Sequence, residues 1–242
     1  MKIPFKACAL FSLALCAHSV EARTISFSGY NWTVKNSLGR VGPGPNYFSD
    51  STDNVWVDAK GRLHLKIARR GGRWYCAEVV SALSFGYGTY RFYLDSPVDN
   101  LDPNVVLGLF TWSDLPDFNH RELDIEFSRW GNANNLNAQY VVQPYTLPQN
   151  IVRFNEPPGV AQSTHSLLWQ SRSVFFQSLH GHHAAPPDLS FVIQQWNFDQ
   201  AGVPQAGGEN ARMNLWLFKG RRPINGLPAE VIVNRFEFVP AQ

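Results

Sequence analysis

The feature that most constrains the fold of this chain is a succession of short segments rich in Val, Ile, Phe, Tyr and Trp, separated by Gly, Pro, Asn and Asp clusters. Such segments favour β-strands joined by turns. The clearest are residues 54–58, 63–68, 90–94, 105–112 and 213–218. No long segment repeats apolar residues at helical spacing, and 16 prolines are spread along the chain. We therefore expect an all-β sandwich or barrel of antiparallel strands with little helix.

Turns and loops can also be predicted from the sequence. Residues 59–62 are typical of a hairpin turn in which Gly61 adopts a positive φ. Two longer stretches, residues 39–53 and 181–188, read as surface loops, and long loops in compact domains are often functional. In a sandwich we expect both to rim a groove. No linker or repeat divides the chain, so residues 23–242 are expected to form one domain.

The composition excludes several classes of function. Hydrophobic residues make up 44% of the chain, enough for a large core, and the formal net charge of +2 gives no concentrated basic face for nucleic acid. Of the three cysteines, Cys8 and Cys16 lie near the amino terminus, so Cys76 has no partner for an internal disulfide once that segment is removed.

The amino-terminal segment has the features of a cleaved export signal. Lys2 and Lys6 come before an apolar run of about 11 residues, and Val20-Glu21-Ala22 has small residues where signal peptidase cleaves. The alternative is a membrane anchor, but such a run is shorter than the roughly 20 residues needed to span a bilayer. We expect residues 1–22 to be removed from a secreted or periplasmic protein that has no further contact with the membrane.

Residues 122–127 alternate acidic and apolar side chains without a break, as Glu-Leu-Asp-Ile-Glu-Phe. Side chains of a strand point to opposite faces in turn, so the apolar residues would enter the core while Glu122, Asp124 and Glu126 share the other face. A single acid there would most simply belong to a solvated surface. Three acids in line repel one another, and an unfavourable arrangement of this kind is often kept for function.

Cleavage of a glycosidic bond commonly needs two carboxyl groups, one protonated and one ionised. The Cα atoms of Glu122 and Glu126 would lie about 13 Å apart on a strand. On a concave sheet their side chains can converge to about 5 to 6 Å, the range of a retaining pair. Asp124 between them would raise the proton affinity of its neighbours. The strand therefore predicts a pair of catalytic carboxyls with a helper.

With these residues in place, the chain resembles glycoside hydrolase family 16, whose motif is a Glu-x-Asp-x-Glu strand. The resemblance to its lichenase branch covers most of the chain after the signal, and the matching segments keep their order. They are Asn54-Val55, Gly61-Arg62-Leu63-His64-Leu65, Cys76-Ala77-Glu78, Gly86-Tyr87-Gly88-Thr89-Tyr90, the acidic strand, His165 with Trp169, and Met213-Asn214-Leu215-Trp216. The fold that it implies is a two-sheet antiparallel jelly-roll sandwich, concanavalin-like, with a concave substrate groove.

The same resemblance implies roles for individual residues. Glu122 would be the nucleophile, Glu126 the general acid and base, and Asp124 the helper between them. Glu78 and Trp216 would bind sugar, although a buried core Trp is a close alternative for Trp216. The further substrate-binding candidates are Trp112 and Trp130, which are near the acids in sequence, and His120, which replaces the Trp found two residues before the nucleophile in lichenases.

Other departures also bear on the groove and leave the substrate open. Val80 stands where lichenases have Arg, and Arg129 where the family usually has Gly or Gln. We expect a retaining endo-β-glucanase acting on β-1,3-1,4- or β-1,3-glucan. The alternatives are a non-catalytic carbohydrate-binding protein on the same scaffold, and a transglycosylase or galactanase of the same family.

No cofactor or metal is expected to be required for catalysis, and a structural calcium ion stays an open question. Residues 180–183 contain three histidines but read as a loop tip rather than a metal site. The expected partner is the polysaccharide itself, bound by a monomer.

Overall fold

The computed structural model describes residues 22–241. The export signal expected over residues 1–22 therefore lies, except for Ala22, outside the described residues. The architecture is almost entirely β, as predicted from the short β-rich segments. No helix among residues 22–241 is long and apolar enough to cross a membrane.

The described part of the chain has sixteen strands, numbered here in chain order. They are β1 (Thr24–Phe27), β2 (Tyr30–Val34), β3 (Tyr47–Phe48), β4 (Val55–Val57), β5 (Leu63–Arg70), β6 (Arg73–Ser81), β7 (Gly88–Leu94), β8 (Val105–Trp112), β9 (Leu123–Phe127), β10 (Ala138–Val142), β11 (Ile151–Phe154), β12 (Ser163–Trp169), β13 (Val174–His180), β14 (Val192–Phe198), β15 (Asn210–Leu217) and β16 (Ala229–Pro240). Within the described residues, the helical turns are α1 (Asp117–His120), whose backbone is left-handed from residue 118 onward, and three 3₁₀ turns, Pro148–Asn150, Leu189–Phe191 and Phe218–Gly220.

The strands form two layers that share one hairpin. The first layer has the order β11-β10-β9-β8-β15-β6-β2-β1, and the second has the order β4-β5-β16-β7-β12-β13-β14. Hydrogen bonding passes from one layer to the other where Ala68–Arg70 of β5 pairs with Arg73–Tyr75 of β6. The expected two-sheet jelly-roll sandwich is confirmed, with the two sheets continuous through this hairpin.

Aromatic contacts between the layers show where the core lies. Tyr140 on β10 stacks on Phe176 of β13 with ring centroids 5.0 Å apart. At the other side of the sandwich, Trp32 on β2 meets Phe236 of β16 at 5.2 Å. Large rings of this kind bury much apolar area, so these pairs hold the faces together across the whole width of the sheets.

The predicted strands and turn agree closely with the structure. Each of the five segments overlaps a strand, and the 105–112 segment has the bounds of β8. Gly61 has a φ of 78° in the turn that joins the antiparallel strands β4 and β5. Because a side chain is unfavourable at that φ, glycine suits this hairpin.

Candidate active site

A groove of about 390 Å³ lies on the outer face of the first layer. Its floor comes from four neighbouring strands, β9, β8, β15 and β6, and on the first three of these alternate residues face the core and the groove. The groove-facing residues are Asp124 and Glu126 with Glu122 just before β9, then Gly108, Phe110 and Trp112, then Arg212, Asn214 and Trp216, and Glu78. The period of two predicted for residues 122–127 therefore holds on β9, and β8 and β15 show the same period.

Strand register arranges the floor in rows across the sheet. Glu126 pairs with Gly108, Gly108 with Asn214, and Asn214 with Glu78. A Cβ atom on Gly108 would come within 2.5 Å of Asn214 Oδ1. The lack of a side chain at Gly108 therefore leaves room for the Asn214 amide beside Glu126.

The three acids form one interacting group. Burial raises the pKa of Glu126 to about 7, although Gln139 donates a hydrogen bond to its carboxylate at 2.8 Å, which lowers the pKa. Burial, followed by the negative charge of Glu126, raises the pKa of Glu122. Burial and both neighbouring glutamates raise the pKa of Asp124 well above its usual value. Protons are therefore retained within this group at pH values where exposed carboxyls are ionised.

A hydrogen bond joins two of the acids. The Asp124 carboxyl donates to Glu122, which lowers the pKa of Glu122 and raises that of Asp124. Asp124 Oδ2 accepts a second hydrogen bond from Gln143 Nε2 at 3.0 Å. The positive charge of Arg212 also lowers the pKa of Glu122. Burial outweighs both effects and raises the pKa of Glu122 to about 8, so the contacts with Asp124 and Arg212 only make this rise smaller. The expectation that Asp124 would raise the proton affinity of Glu122 is therefore wrong.

Glu78, expected from the resemblance to bind sugar, lies in the groove with its side chain 1% exposed. Lys35 Nζ is 3.0 Å from Glu78 Oε2, and Arg212 is 3.6 Å from Oε1. Arg212 also reaches Asp114 at 2.9 Å. Glu78 therefore orients two basic groups in the groove as well as presenting a carboxylate of its own.

The aromatic candidates lie in different places. Trp112 and Trp216 both line the groove. In the strand register, Trp112 lies in the same row as Glu122, and Trp216 lies one groove-facing row beyond Glu126. Trp130 is not among the groove-lining residues, and its ring contacts Trp216 at 6.2 Å. His120 also lies outside the lining set. It stacks on Trp112 at 4.2 Å, and its Nδ1 lies 2.9 Å from the Ser113 carbonyl. Direct sugar contact by Trp130 and His120 is thus not favoured, and each supports a neighbouring indole.

A left-handed turn precedes the acidic strand. Four consecutive residues, 118–121, have φ values between 52° and 61°, and none is glycine. Arg121 anchors this turn, because its Nε donates to the Gln205 carbonyl at 2.9 Å and its own carbonyl accepts from Thr111 Oγ1 at 2.7 Å. Non-glycine residues in this conformation are strained, and such strain often lies beside functional groups. Here the turn ends at Glu122.

One of the two predicted loops borders the groove and the other does not. Gly42 and Pro43, from the 39–53 loop, line it, and Lys35 Nζ donates to the Gly42 carbonyl at 2.8 Å. The prediction for the 181–188 loop is wrong, because this loop follows β13 in the second layer. There His182 Nε2 lies 2.9 Å from the carbonyl of Leu94 on β7.

The sequence did not single out several residues that line the groove or donate hydrogen bonds to its acids. They are Lys35, Gly108, Asp114, Gln139, Gln143, Arg212 and Asn214. Alternation within Met213–Trp216 was the available signal for Asn214, since Trp216 on the same strand face was already a candidate. The two glutamines gave no signal, because only strand pairing brings β10 beside β9.

The fold is similar to those of several solved structures over most of the chain. A β-glucanase of Bacillus licheniformis gives a TM-score of 0.62 at 19% identity, covering 91% of this chain and 98% of that chain. A Mycobacterium tuberculosis protein described as an immunostimulatory antigen and pseudo β-1,3-glucanase gives 0.62 at 19% identity, covering 87% and 91%. A β-1,3-glucanase of Mycobacterium marinum gives 0.59 at 18% identity, covering 85% and 90%.

No protein-family model and no curated protein sequence matches the chain. At these identities the structural similarity shows a shared fold. It is the jelly-roll fold of β-glucanases, as the resemblance to glycoside hydrolase family 16 implied.

Proposed function

We propose that this chain, which has the fold of β-glucanases, is a retaining endo-acting glycoside hydrolase that cleaves a β-linked polysaccharide. The observation that carries the proposal is the row formed by Glu122, Asp124 and Glu126 in one groove, with raised pKa values and a hydrogen bond from Asp124 to Glu122. Acids and bases with perturbed pKa values in a cleft are typical of catalytic groups.

In the proposed reaction the three acids have distinct roles. Glu122 attacks the anomeric carbon while Glu126 gives its proton to the departing sugar oxygen, so that the glycosidic bond breaks as an ester to Glu122 forms. Glu126, now ionised, takes a proton from water, which attacks the same carbon and releases Glu122. The hydrogen bond from Asp124 offsets part of the effect of burial on the pKa of Glu122 and so favours the ionised form that attacks. A pKa of about 7 suits Glu126 to both giving and taking a proton.

The groove also offers groups for sugar binding. Trp112 and Trp216 present indole rings on either side of the acids, and flat apolar rings suit the faces of a pyranose. Glu78, Asn214 and Arg212 supply the hydrogen-bonding groups that hydroxyls need. One similar structure is named a β-1,3-glucanase, and the sequence resembles the lichenase branch. We therefore propose β-1,3-1,4- or β-1,3-glucan as substrate, with a galactan, or transfer to another sugar, as alternatives.

A second candidate function is carbohydrate binding without catalysis. One of the similar structures is described as a pseudo β-1,3-glucanase, so the fold is not tied to activity. The retention of all three acids in this chain favours the enzyme.

The first test is the release of reducing ends from a panel of β-glucans and red-algal galactans. Glu126→Gln should reduce activity on polysaccharide by about 10²- to 10⁴-fold, with a milder loss on aryl glycosides whose leaving groups need no proton. Glu230→Gln, a carboxylate on β16 in the second layer, is the matched control and should keep full activity. Binding of a glucan with no product from the unmodified protein would instead establish the second candidate.

The second test is stereochemical. Attack by Glu122 followed by attack of water inverts the anomeric carbon twice, so proton NMR should show the β-anomer first. Glu122→Ala should lose hydrolysis and form an α-glycosyl azide from an activated β-glycoside when azide is added. If the α-anomer appears first, water attacks directly and Glu122 is not the nucleophile.

We further propose that the protein is exported. The support is the sequence of residues 1–22, with its two lysines, apolar run and small residues before the expected cleavage site. Amino-terminal sequencing of the secreted or periplasmic product should begin at Arg23, whereas a product that begins at the initiator would show that the signal is not cleaved.

A further inference from the structure

A second group of acids lies outside the groove, where three connecting segments meet. Asp99 belongs to the connection between β7 and β8, and Glu156 follows β11. Glu156 is 2% exposed, yet neither of its carboxyl oxygens has a hydrogen-bond partner among the described residues. The same is true of Asp99 Oδ1. Three buried carboxyl oxygens in one place therefore have no partner in the described chain.

The side chain of Asn137 holds the two acidic residues side by side. Its Nδ2 donates to the carbonyl oxygens of Glu156, at 3.2 Å, and of Asp99, at 3.3 Å. Its Oδ1 accepts from the backbone nitrogen of Glu156 at 2.7 Å. Because Asn137 is itself buried and precedes β10 directly, the place of both acids is fixed by the sheet.

Several residues with oxygen atoms surround Asp99 and Glu156, and burial makes an unpaired negative charge there unfavourable. Both acids line a cavity of about 400 Å³ together with Asn134 and Asn155. Arg129 also borders the cavity, but its guanidinium donates to backbone carbonyls, including that of Asp99 at 3.4 Å. Burial and the Asp99 charge raise the pKa of Glu156 to about 8. A buried carboxylate needs a compensating charge or a proton.

We propose that Asp99 and Glu156 bind a calcium ion. Calcium takes six to eight oxygen ligands in flexible arrangements, whereas zinc prefers nitrogen and sulfur. The two acids offer three unpartnered carboxyl oxygens, and asparagine amides, backbone carbonyls and water complete such a set. No described group of three or more His, Cys, Asp or Glu is arranged for a metal, so these neutral oxygens are required.

The bound ion would link the loop that supports the groove to the segments beside it at the edge of the first layer. It lies between the β7–β8 connection, the segment after β11 and the loop after β9. That loop carries Trp130, whose ring packs against the groove residue Trp216, and Gly131, whose nitrogen donates to the Pro103 carbonyl at 2.7 Å. Calcium therefore stabilises the support of one wall of the groove without taking part in the chemistry.

Thermal unfolding of the whole protein, with and without calcium, tests the proposal. After treatment with EDTA, calcium chloride at about a hundred times its Kd should raise the Tm by about 5 to 10 °C. Glu156→Gln and Asp99→Asn should lose most of this increase, whereas the control Asp199→Asn, an exposed aspartate, should retain it. In EDTA, Glu156→Gln should be at least as stable as the unmodified protein, so the order of stability reverses when calcium is added.

Calorimetric titration with calcium chloride gives an independent measurement. One ion should bind per chain, and magnesium at the same concentration should bind more weakly because it demands stricter geometry. The proposal would be overturned if calcium did not change the Tm, or if both variants kept the full increase in Tm. Either result would indicate that Glu156 is simply protonated. Either result leaves the assignment of Glu122 and Glu126 untouched.

Discussion

At the scale of single residues, the burial of Glu126 in the candidate site affects the stability of the folded protein. Glu126 has its pKa raised to about 7 by burial, so its ionisation is unfavourable in the folded protein. The contribution of this residue to stability is then greatest below the unfolded pKa of about 4.3 and decreases as the pH rises through about 7. The groove is thus expected to be a source of instability at neutral and alkaline pH.

Glu126→Gln should therefore stabilise the protein while it impairs the proposed activity. At pH 9 we expect the free energy of unfolding to increase by about 1 to 3 kcal/mol, because a neutral amide replaces a buried charge. At pH 4 the difference should vanish. Urea unfolding at both pH values measures it, and a variant that is less stable than the original at pH 9 would refute the buried-charge argument.

Gly108→Ala tests the row between Glu126 and Glu78. The added Cβ comes within 2.5 Å of Asn214 Oδ1, so the amide must move away from Glu126. We expect kcat/KM to fall by about 10- to 100-fold, as small displacements in a catalytic site often cause. Gly39→Ala is the control, since a Cβ there meets no atom within 4 Å. Equal activity of the two variants would show that Asn214 plays no part.

At the scale of elements, the strand β9 and the turn before it position different members of the acidic row. Alternation on β9 places Asp124 and Glu126 in the groove while Leu123, Ile125 and Phe127 enter the core. The left-handed turn then directs Glu122, which precedes the strand, to the same groove. Core packing fixes one end of the acidic row and backbone conformation the other.

Asn119, in the middle of this turn, gives a direct test of its conformation. Asn tolerates positive φ, but a β-branched residue does not, so Asn119→Val should lower the free energy of unfolding by about 1 to 2 kcal/mol. Asn119→Gly should change it by a few tenths at most. Chemical denaturation measures both. Equal stability of the two variants would mean that the turn is not left-handed in solution, and a lower kcat for the Val variant would show that the turn positions Glu122.

At the scale of the whole molecule, stability comes from two sheets packed through a large apolar core. Cys76 on β6 is fully buried, and burial raises its pKa to about 12. A neutral, enclosed thiol behaves as a small apolar side chain. Cys76 has no cysteine partner within residues 22–241, so packing and hydrogen bonds hold the two sheets together there.

The protein without residues 1–22 should accordingly be indifferent to reductant, because Cys76 is then its one cysteine. We expect the same Tm with and without dithiothreitol, and no reaction of native Cys76 with a thiol-specific chromogenic disulfide. Unfolding in guanidinium should release one reactive thiol per chain. Rapid labelling of the native protein would show that β6 opens readily and that its core contacts are weaker than the structure indicates.

The sequence by itself determined the β class, the principal strands, the turn at Gly61 and the common face of Glu122, Asp124 and Glu126. These features depend on local rules: β-branched and aromatic segments form strands, and a strand alternates its faces every residue. A local pattern is readable without knowing which strands are neighbours.

Only the tertiary structure decided what surrounds the acids. Gln139 and Gln143 reach them from β10 or the residue after it, and Arg212 and Asn214 from β15, because strand order brings distant segments together. It also decided that His120 stacks on Trp112 and lies outside the groove lining, and that residues 181–188 belong to the other layer. Register between strands is a property of the assembled sheet, so a single strand cannot specify its neighbours.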